Sequence, residues 1–301
     1  MFSIVIANWN GSKIIGSCLE SLVNQNFKDF SVYIVDNGST DNSISIIEGF
    51  KSKLELTVLP LKENTGFAKA NNIGIEAAFE DRHKYILTLN NDIEVKPDTL
   101  EKLNSFILSN SDYDIFQLLM LNYFDRDSID AVGLTFDSRY YVHQIAYKQP
   151  ATDLTKYSSD IMGACAGAAA YSKKALKAVK NTQEDYFDSN FFAYFEDADL
   201  ALRLKFSGFK TIVAKEAVVY HMHSATGKQD SPFKEFYTIR NQLLYTYKNV
   251  PSEAYKLLKY RYYAGIAKRI LELGLKGKFD LSRAAIKGWK DYYNIRKKLV
   301  R

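Results

Sequence analysis

The run Tyr85-Ile86-Leu87-Thr88-Leu89-Asn90-Asn91-Asp92 carries an apolar strand into two amides and a carboxylate. The C-terminal ends of strands are where open α/β sheets bind ligands. Asn and Asp also favour turns for local hydrogen-bonding reasons, so the triplet alone reads as a turn. Its company changes that reading. Asp36-Asn37-Gly38-Ser39-Thr40-Asp41 follows an earlier apolar strand, and Phe195-Glu196-Asp197-Ala198-Asp199-Leu200 lies about a hundred residues downstream. Three acidic clusters at element ends point to one site.

The elements that must position these clusters alternate along the first half of the chain, which argues for βαβ units and a mostly parallel sheet. Ser3 to Ala7, Ser31 to Val35, Leu54 to Leu59 and Tyr85 to Leu89 are expected as strands, being short and rich in β-branched or aromatic residues. Ile14, Ile15, Cys18, Leu19, Leu22 and Val23 recur at helical spacing, with Ser12 as the expected N-cap. A second helix is expected after Asp41 and a third from about Gly66 to Glu80. Beyond Pro97 come a helix near Asp98 to Leu108, a strand at Asp114 to Met120, and strand-like runs at Val132 to Phe136 and Tyr141 to Tyr147. Ala166 to Tyr171 is expected as a strand, Glu196 to Phe206 as a helix, and Thr211 to Val213 and Ala217 to Tyr220 as two short strands. From Phe233 onward only helices are expected.

With 301 residues, 47% of them hydrophobic, the chain can bury a sizeable core as one large domain or two small ones. No apolar run reaches the roughly 18 residues that span a bilayer, and Met1-Phe2-Ser3-Ile4 enters a strand with no basic leader, so a cytoplasmic protein is expected. Cys18 and Cys165 lack metal-ligand spacing and are expected as free, buried thiols. Net charge is +5, but residues 251–301 hold 14 Lys or Arg against 4 Asp or Glu, which leaves the preceding 250 residues at −5. Such a split suits a chain whose end meets an anionic partner while the rest does chemistry.

A βαβ start invites a dinucleotide-binding reading, but the turn after the first strand is Ala7-Asn8-Trp9-Asn10-Gly11. One glycine cannot build a GxGxxG phosphate cradle, and no Walker sequence is present, so NAD enzymes and P-loop NTPases are excluded. A nucleotidyltransferase would need a Gly- and Arg-rich loop at the same place. Instead, Ile6-Ala7-Asn8-Trp9-Asn10, Val35 to Asp41, Glu63-Asn64-Thr65-Gly66-Phe67-Ala68, Leu89 to Asp92, Phe191 to Leu200 and Arg240-Asn241, in that order, resemble glycosyltransferase family 2. These are inverting enzymes of the GT-A fold, and the likeness, over roughly residues 2–245, is strongest to the rhamnosyltransferase-like branch that builds bacterial surface polysaccharides.

The resemblance implies an α/β fold, a mixed and mostly parallel sheet flanked by helices, with a C-terminal helical extension. Residues 1–232 would form the transferase domain, about 1–110 holding the nucleotide-sugar and 111–232 the acceptor, and 233–301 a basic helical region. It implies transfer of rhamnose or another hexose from a nucleoside diphosphate to a hydroxyl of a saccharide or polyprenyl-diphosphate-linked acceptor. Two phosphates leave with the donor, and Asp92 offers the hard oxygen ligand that suits Mg²⁺ or Mn²⁺. The usual Asp-x-Asp appears here as Asn90-Asn91-Asp92, a variant common in that branch, so Asn90 and Asn91 fall to the nucleotide. His221 matches a late histidine of the metal shell, and a structural histidine is its alternative; His143 and His223 read as ordinary histidines.

Asp36 would accept a hydrogen bond from the base or else cap the turn beyond it, beside Asn37. Ala7 and Asn8 would approach the nucleoside. Gly66, Ala68 and Asn71 open a helix whose free N–H groups can meet the nucleotide, with a backbone turn the equal alternative for Gly66. Asp197 is the expected base that takes the acceptor proton, with Glu196 and Asp199 on acceptor hydroxyls or merely favouring the helix N-terminus. At 100° per residue the three cannot all face one acceptor. Arg203 is expected to pair with Asp199. Arg240 would clamp a phosphate with its planar fork, or form a surface ion pair.

In the tail, Tyr255, Leu257, Leu258, Tyr260, Tyr262, Tyr263, Ile266 and Ile270 interleave with Lys256, Lys259, Arg261, Lys268 and Arg269, a basic amphipathic pattern. It suits an anionic membrane surface and so a peripheral position on the inner face of the cell membrane; a solvated helical face or a homo-oligomer contact is the other reading. No nucleic-acid-binding pattern accompanies the charge. The expected function is thus an inverting, metal-dependent transferase, with a catalytically inactive nucleotide-sugar or carbohydrate-binding protein as the alternative.

Overall fold

The computed structural model describes residues 1–152, 154–157, 159–181, 184–222 and 231–299. His223 therefore lies outside the described residues. The N-terminal elements are β1 (Phe2–Asn8), α1 (Ile15–Val23), β2 (Phe30–Asp36), α2 (Ser43–Glu48), β3 (Leu56–Pro60), α3 (Phe67–Phe79), β4 (Tyr85–Leu89), β5 (Ile93–Val95) and α4 (Thr99–Ser109). They are followed by β6 (Ile115–Asn122), β7 (Ile129–Ala131), β8 (Leu134–Phe136), β9 (Val142–Gln144), β10 (Asp160–Ile161), β11 (Ala168–Ser172), α5 (Lys173–Ala178), α6 (Glu196–Phe206) and β12 (Thr211–His221). Three helices close the chain: α7 (Pro232–Asn249), α8 (Ser252–Leu275) and α9 (Phe279–Arg296).

The main sheet runs β10-β12-β6-β11-β4-β1-β2-β3. β3, β2, β1 and β4 are parallel, β11 lies antiparallel between β4 and β6, and β12 is again parallel to β6. β1 is buried on both faces: Phe2, Ile4 and Ile6 belong to one core with the apolar residues of α1 and α4, while Val5 belongs to a second core with α3. Such double burial explains its near-continuous apolar sequence. The strand order reverses between β1 and β4, so their C-terminal ends part and leave a crevice.

Several expected elements take a different form. The N–H of Ser12 is held by Asp41 (3.0 Å), and α1 starts three residues later on the Gly11 carbonyl, so Ser12 caps nothing. The two short strands expected at 211–220 are one strand with a bulge between Ala214 and Val218; within it Lys215 reaches the Leu154 and Tyr157 carbonyls. The runs near 132–136 and 141–147 shrink to β8 and β9, which pair with each other outside the main sheet. β5, β7, β10 and α5 are too short to carry a periodic signal.

The three terminal helices share an apolar core with α6 and the β8–β9 hairpin, through Leu202, Leu243, Tyr245, Tyr262, Ile266 and Tyr292. Part of the amphipathic face expected of α8, Tyr255, Tyr262 and Ile266, is thereby turned inward. Among the described residues no helix is long and apolar enough to cross a membrane.

α3 lies close enough on β1 that a Cβ at Gly74 would sit 2.5 Å from a Val5 methyl and 3.1 Å from one of Val35. Gly74→Ala should thus lower stability by about 1–2 kcal/mol in urea unfolding, overpacking outweighing the gain in helix propensity. Unchanged or raised stability would mean that the helix is free to move outward.

Candidate active site

A cavity of about 470 Å³ opens at the crevice between β1 and β4. Its floor is Ala7, Asn8 and Trp9 at the end of β1 and Asn90, Asn91 and Asp92 beyond β4. Asn37, Asn64, Gly66 and Phe67 form one wall. The turn Phe192 to Phe195, the first residues of α6 and His221 form another, and Leu134, Val142 and Gln144 of the hairpin stand opposite. Of the residues singled out in the sequence, Ala7, Asn8, Asn37, Gly66, Asn90, Asn91, Asp92, Glu196, Asp197 and His221 line it. Asp36, Ala68, Asn71, Asp199 and Arg240 do not.

A buried relay sets the floor. Asn8 donates through Nδ2 to Asp36 Oδ1 (2.9 Å), and Asn91 donates to Asn8 Oδ1 (2.9 Å). The other oxygen of Asp36 accepts the Ser39 N–H at 3.0 Å, so the carboxylate orients Asn8 and the turn after β2 and does not itself face the cavity. Asn37 accepts from Thr65 N (2.8 Å) and donates to Asn64 Oδ1 (3.0 Å), tying down the entry to α3. At that entry the N–H of Ala68 is taken by the Phe192 carbonyl (3.1 Å), while the Asn71 amide donates to the Phe67 carbonyl (2.9 Å). Both expected nucleotide contacts are thus spent on structure.

His221 stands between two carboxylates. Its Nε2 is 3.1 Å from Asp92 Oδ1 and its Nδ1 is 2.6 Å from Asp130 Oδ2. Burial alone would lower the imidazole pKa, but hydrogen bonds and charge from Asp130 and Asp92 outweigh it and push the pKa up to about 10. Among the described residues no group of three or more His, Cys, Asp or Glu could hold a metal by itself. The pair nevertheless fits a shared cation. Two cis ligands about 2.1 Å from one octahedral ion stand about 3 Å apart, and a carboxylate on the far ring nitrogen is the usual support of a metal-binding histidine. Asn90 Oδ1, buried with no partner, adds a further oxygen beside them. Asp130 had no motif to reveal it; its one signal is a carboxylate between Ile129 and Ala131 in a strand.

Glu196 and Asp197 open α6 at the cavity wall. Glu196 is buried and its Oε2 has no partner; burial, reinforced by the neighbouring Asp197 charge, pushes its pKa well above the ordinary carboxylate range. Burial also raises Asp197, against hydrogen bonds from the backbone of Ala198 and Ala166 and from the Cys165 thiol. A carboxylate with a raised pKa that can still ionise is suited to proton uptake. Cys165, Trp9, Phe192 and Tyr194 also line the cavity, as do Phe233, Lys234 and Thr238 of α7, none of them singled out in the sequence as site residues.

Asp199 and Arg240 answer to other partners. Asp199 is fully buried, held by Arg203 (2.9 Å), Lys248 (3.1 Å) and Asn249 (2.9 Å) behind the cavity. Its helix position, about 200° from Asp197, turns it away from any acceptor. Arg240, also buried, spends its fork on the Asn190 and Phe191 carbonyls and on Asp291, not on a phosphate. Burial would raise the Asp199 pKa, but the Arg203 and Lys248 charges hold it down at about 2. A depressed carboxylate stabilises the fold above its unfolded pKa and loses that contribution as pH falls through the folded value. Asp199→Asn should therefore cost about 3 kcal/mol in urea unfolding at pH 7, with the gap closing between about pH 4 and pH 2. Nucleoside diphosphate affinity should be unaltered; its loss in the folded variant would return Asp199 to the site.

The family model for Glycosyl transferase family 2 matches residues 3–180. Poly(ribitol-phosphate) beta-N-acetylglucosaminyltransferase TarS of Staphylococcus aureus is 32% identical over 109 residues, 35% of this chain and 18% of the relative. Glycosyltransferase GlyG of Streptococcus pneumoniae is 30% identical over 131 residues, 43% of this chain and 41% of that protein. The chain thus spans less than half the length of these curated relatives. Among solved structures, S. aureus TarS in complex with UDP-GlcNAc superposes with a TM-score of 0.54 and 21% identity, covering 97% of this chain and 80% of that one. A mannosyltransferase from Pyrobaculum calidifontis in complex with GDP-Man and Mn²⁺ gives 0.58 and 13%, covering 97% and 86%. The parallel strands, their switch point and the matched residues agree with these likenesses: the chain belongs to glycosyltransferase family 2 and has the GT-A fold.

Proposed function

We propose that the chain is an inverting glycosyltransferase that uses a divalent cation and moves rhamnose or another hexose from a nucleoside diphosphate to a hydroxyl of a saccharide or lipid-linked acceptor. The observation that carries this reading is that one cavity joins Asp92 and His221 on its floor to Glu196 and Asp197 on its wall. Residues 1–110 would hold the donor and 111–232 the acceptor, with 233–301 a basic helical region packed against them. UDP-GlcNAc and GDP-Man in the solved relatives support a nucleoside diphosphate donor here.

In this reading Ala7, Asn8, Asn37 and Gly66 border the nucleoside, and Asn90 and Asn91 its ribose. Asp92 and His221 would hold a Mn²⁺ or Mg²⁺ ion, which supplies charge neutralisation to the departing diphosphate. The acceptor oxygen attacks the anomeric carbon from the face opposite the diphosphate. Its proton passes to the Asp197 carboxylate as the anomeric C–O bond breaks and the diphosphate leaves with the electron pair. Glu196, whose pKa burial pushes well up, would donate a hydrogen bond to an acceptor oxygen in its protonated form. Surface polysaccharide synthesis is the setting its relatives suggest.

Calorimetric titration with UDP, dTDP and GDP, each with Mn²⁺ and then with EDTA, tests the donor site. One diphosphate should bind in a metal-dependent way and Asp92→Ala should abolish that dependence. Asp197→Asn should bind it as the parent does while transfer falls by at least about 1,000-fold. Because the base acts ionised and its pKa is raised, parental kcat/KM should fall with decreasing pH on a limb above about pH 4, higher than an exposed aspartate would give. Absence of binding to every diphosphate would turn the reading toward a catalytically inactive protein, whereas an Asp197→Asn variant as active as the parent would remove Asp197 from the mechanism.

The tail supports a peripheral position on an anionic membrane. On α8, Leu257, Tyr260, Leu271 and Leu275 are 82%, 70%, 67% and 89% exposed and fall within about 60° of one another around the helix. Lys256, Arg261 and Lys268 flank this stripe, opposite the face that packs on the hairpin through Tyr262. Apolar side chains between cations are what an interfacial helix presents to acidic lipid. The parent should sediment with phosphatidylglycerol vesicles and not with phosphatidylcholine, and Leu257→Glu with Leu271→Glu and Leu275→Glu should release it. Equal binding by that variant, or a concentration-dependent dimer that it dissolves, would reassign the stripe.

A further inference from the structure

The turn that leads into Glu196 and Asp197 has a conformation its own residues disfavour. Phe192, Tyr194 and Phe195 have φ of 64°, 69° and 72°, a left-handed region that bulky side chains seldom enter. Three such residues within four positions persist only if the surroundings hold them there, and strain of this kind clusters at functional sites.

The hold comes from α7. The Asn241 amide, fully buried, donates to the carbonyls of Phe191 (2.8 Å), Ala193 (2.7 Å) and Tyr194 (2.8 Å). Arg240 donates to the carbonyls of Asn190 (2.8 Å) and Phe191 (2.7 Å), and its Nε donates to Asn241 Oδ1 (2.8 Å), which fixes which way the amide faces. The Phe192 ring stacks on Tyr237 at 4.9 Å, and the Arg240 guanidinium lies 4.5 Å from that same tyrosine ring. On the other side Gly66, at φ 90°, leaves room for Phe192, where a Cβ would come within 2.6 Å of its ring. The turn is wedged between α7 and the entry to α3.

We propose that Asn241, locked by Arg240, is a positioning residue: it holds the turn 191–195 in the left-handed form that carries Glu196 and Asp197 to the cavity wall. This rests on the role given above to the acidic pair. It also explains why an Arg-Asn pair far along the sequence belongs with the acidic segment without either side chain lining the cavity. A buried amide that meets three carbonyls of one strained turn is an arrangement no aspartate or leucine could replace, since only the amide donates.

The test compares Asn241→Ala with Asp291→Asn, which cuts the Arg240 ion pair at 3.3 Å and leaves every bond to the turn intact. Amide hydrogen exchange of residues 191–198 should accelerate in Asn241→Ala, while β1 and β4 stay protected. In the same variant kcat should drop on the order of 100-fold, with nucleoside diphosphate affinity within about twofold of the parent. Asp291→Asn should match the parent in both respects. Unchanged exchange at 191–198, equal loss in Asp291→Asn, or a fall in kcat matched by lost diphosphate binding would overturn the proposal. Should the alanine variant not fold, Arg240→Lys, which keeps the cation and removes the fork from the turn, is read by the same criteria. If the parent transfers no sugar, the functional reading fails while the exchange comparison still decides the clamp.

Discussion

Carboxylates crowd the cavity, and the rest of the structure is arranged around the cost of keeping them there. Asp36, Asp92, Asp130, Glu196 and Asp197 approach one crevice from the ends of β2, β4 and α6 and from β7, most of them buried. Buried like charges are costly unless each is compensated. Each has a different remedy. Asp36 is satisfied by Asn8 and a backbone N–H, Asp92 and Asp130 share His221, and Asp197 accepts backbone N–H groups at the start of a helix. Glu196 Oε2 has no such partner, and burial with the neighbouring Asp197 charge pushes the pKa of this carboxyl well up. Burial thus raises the pKa of both adjacent carboxyls, Asp197 against hydrogen bonds that oppose the rise and Glu196 with Oε2 left unpartnered.

The parts that make this possible lie outside the cavity. Asp199, Arg203, Lys248 and Asp188 form a compact ionic layer behind the N-terminus of α6, and α7 supplies both Lys248 to that layer and Asn241 to the strained turn. The terminal helices are therefore not an appendage to the sheet. Their apolar core includes Phe191 and Phe195, at the two ends of the strained segment, and Ala198 in the first turn of α6. Stability at the far end of the chain and geometry at the acidic pair are coupled through these contacts.

What the sequence revealed, and what it hid, follows from the range of the forces involved. β4 and α6 have their expected bounds, and β1 and β2 extend one residue beyond theirs at each end, because an apolar run closed by turn residues is a local signal. The convergence of Ala7, Asn8, Asp92, Glu196 and Asp197 was legible because all stand at element ends beside the switch point. Asp130 was not, since its meaning comes from a histidine 91 residues away. Arg240 and Asn241 were legible as a pair and misread in role: position in a sequence does not say whether a guanidinium meets phosphate or carbonyl. The hairpin β8–β9 was overestimated in length because aromatic residues that pack on helices mimic those that pair in sheets.

The charge of the cavity also bears on how a donor could enter it. Among the described lining residues Asp92, Glu196 and Asp197 are acidic, and the basic side chain is Lys234, with His221 already engaged by carboxylates. A nucleoside diphosphate brings further negative charge to this face. Direct entry would set phosphate oxygens against the Asp92 carboxylate in a partly desolvated crevice, where repulsion between like charges is several-fold stronger than in water. A cavity built to bind diphosphate through protein cations would carry arginines on its floor. Arg203, six residues after Asp197, is committed to Asp199, and Arg240 is committed to the turn. The floor presents oxygen and imidazole donors instead, the kind of groups that the proposed divalent cation would need.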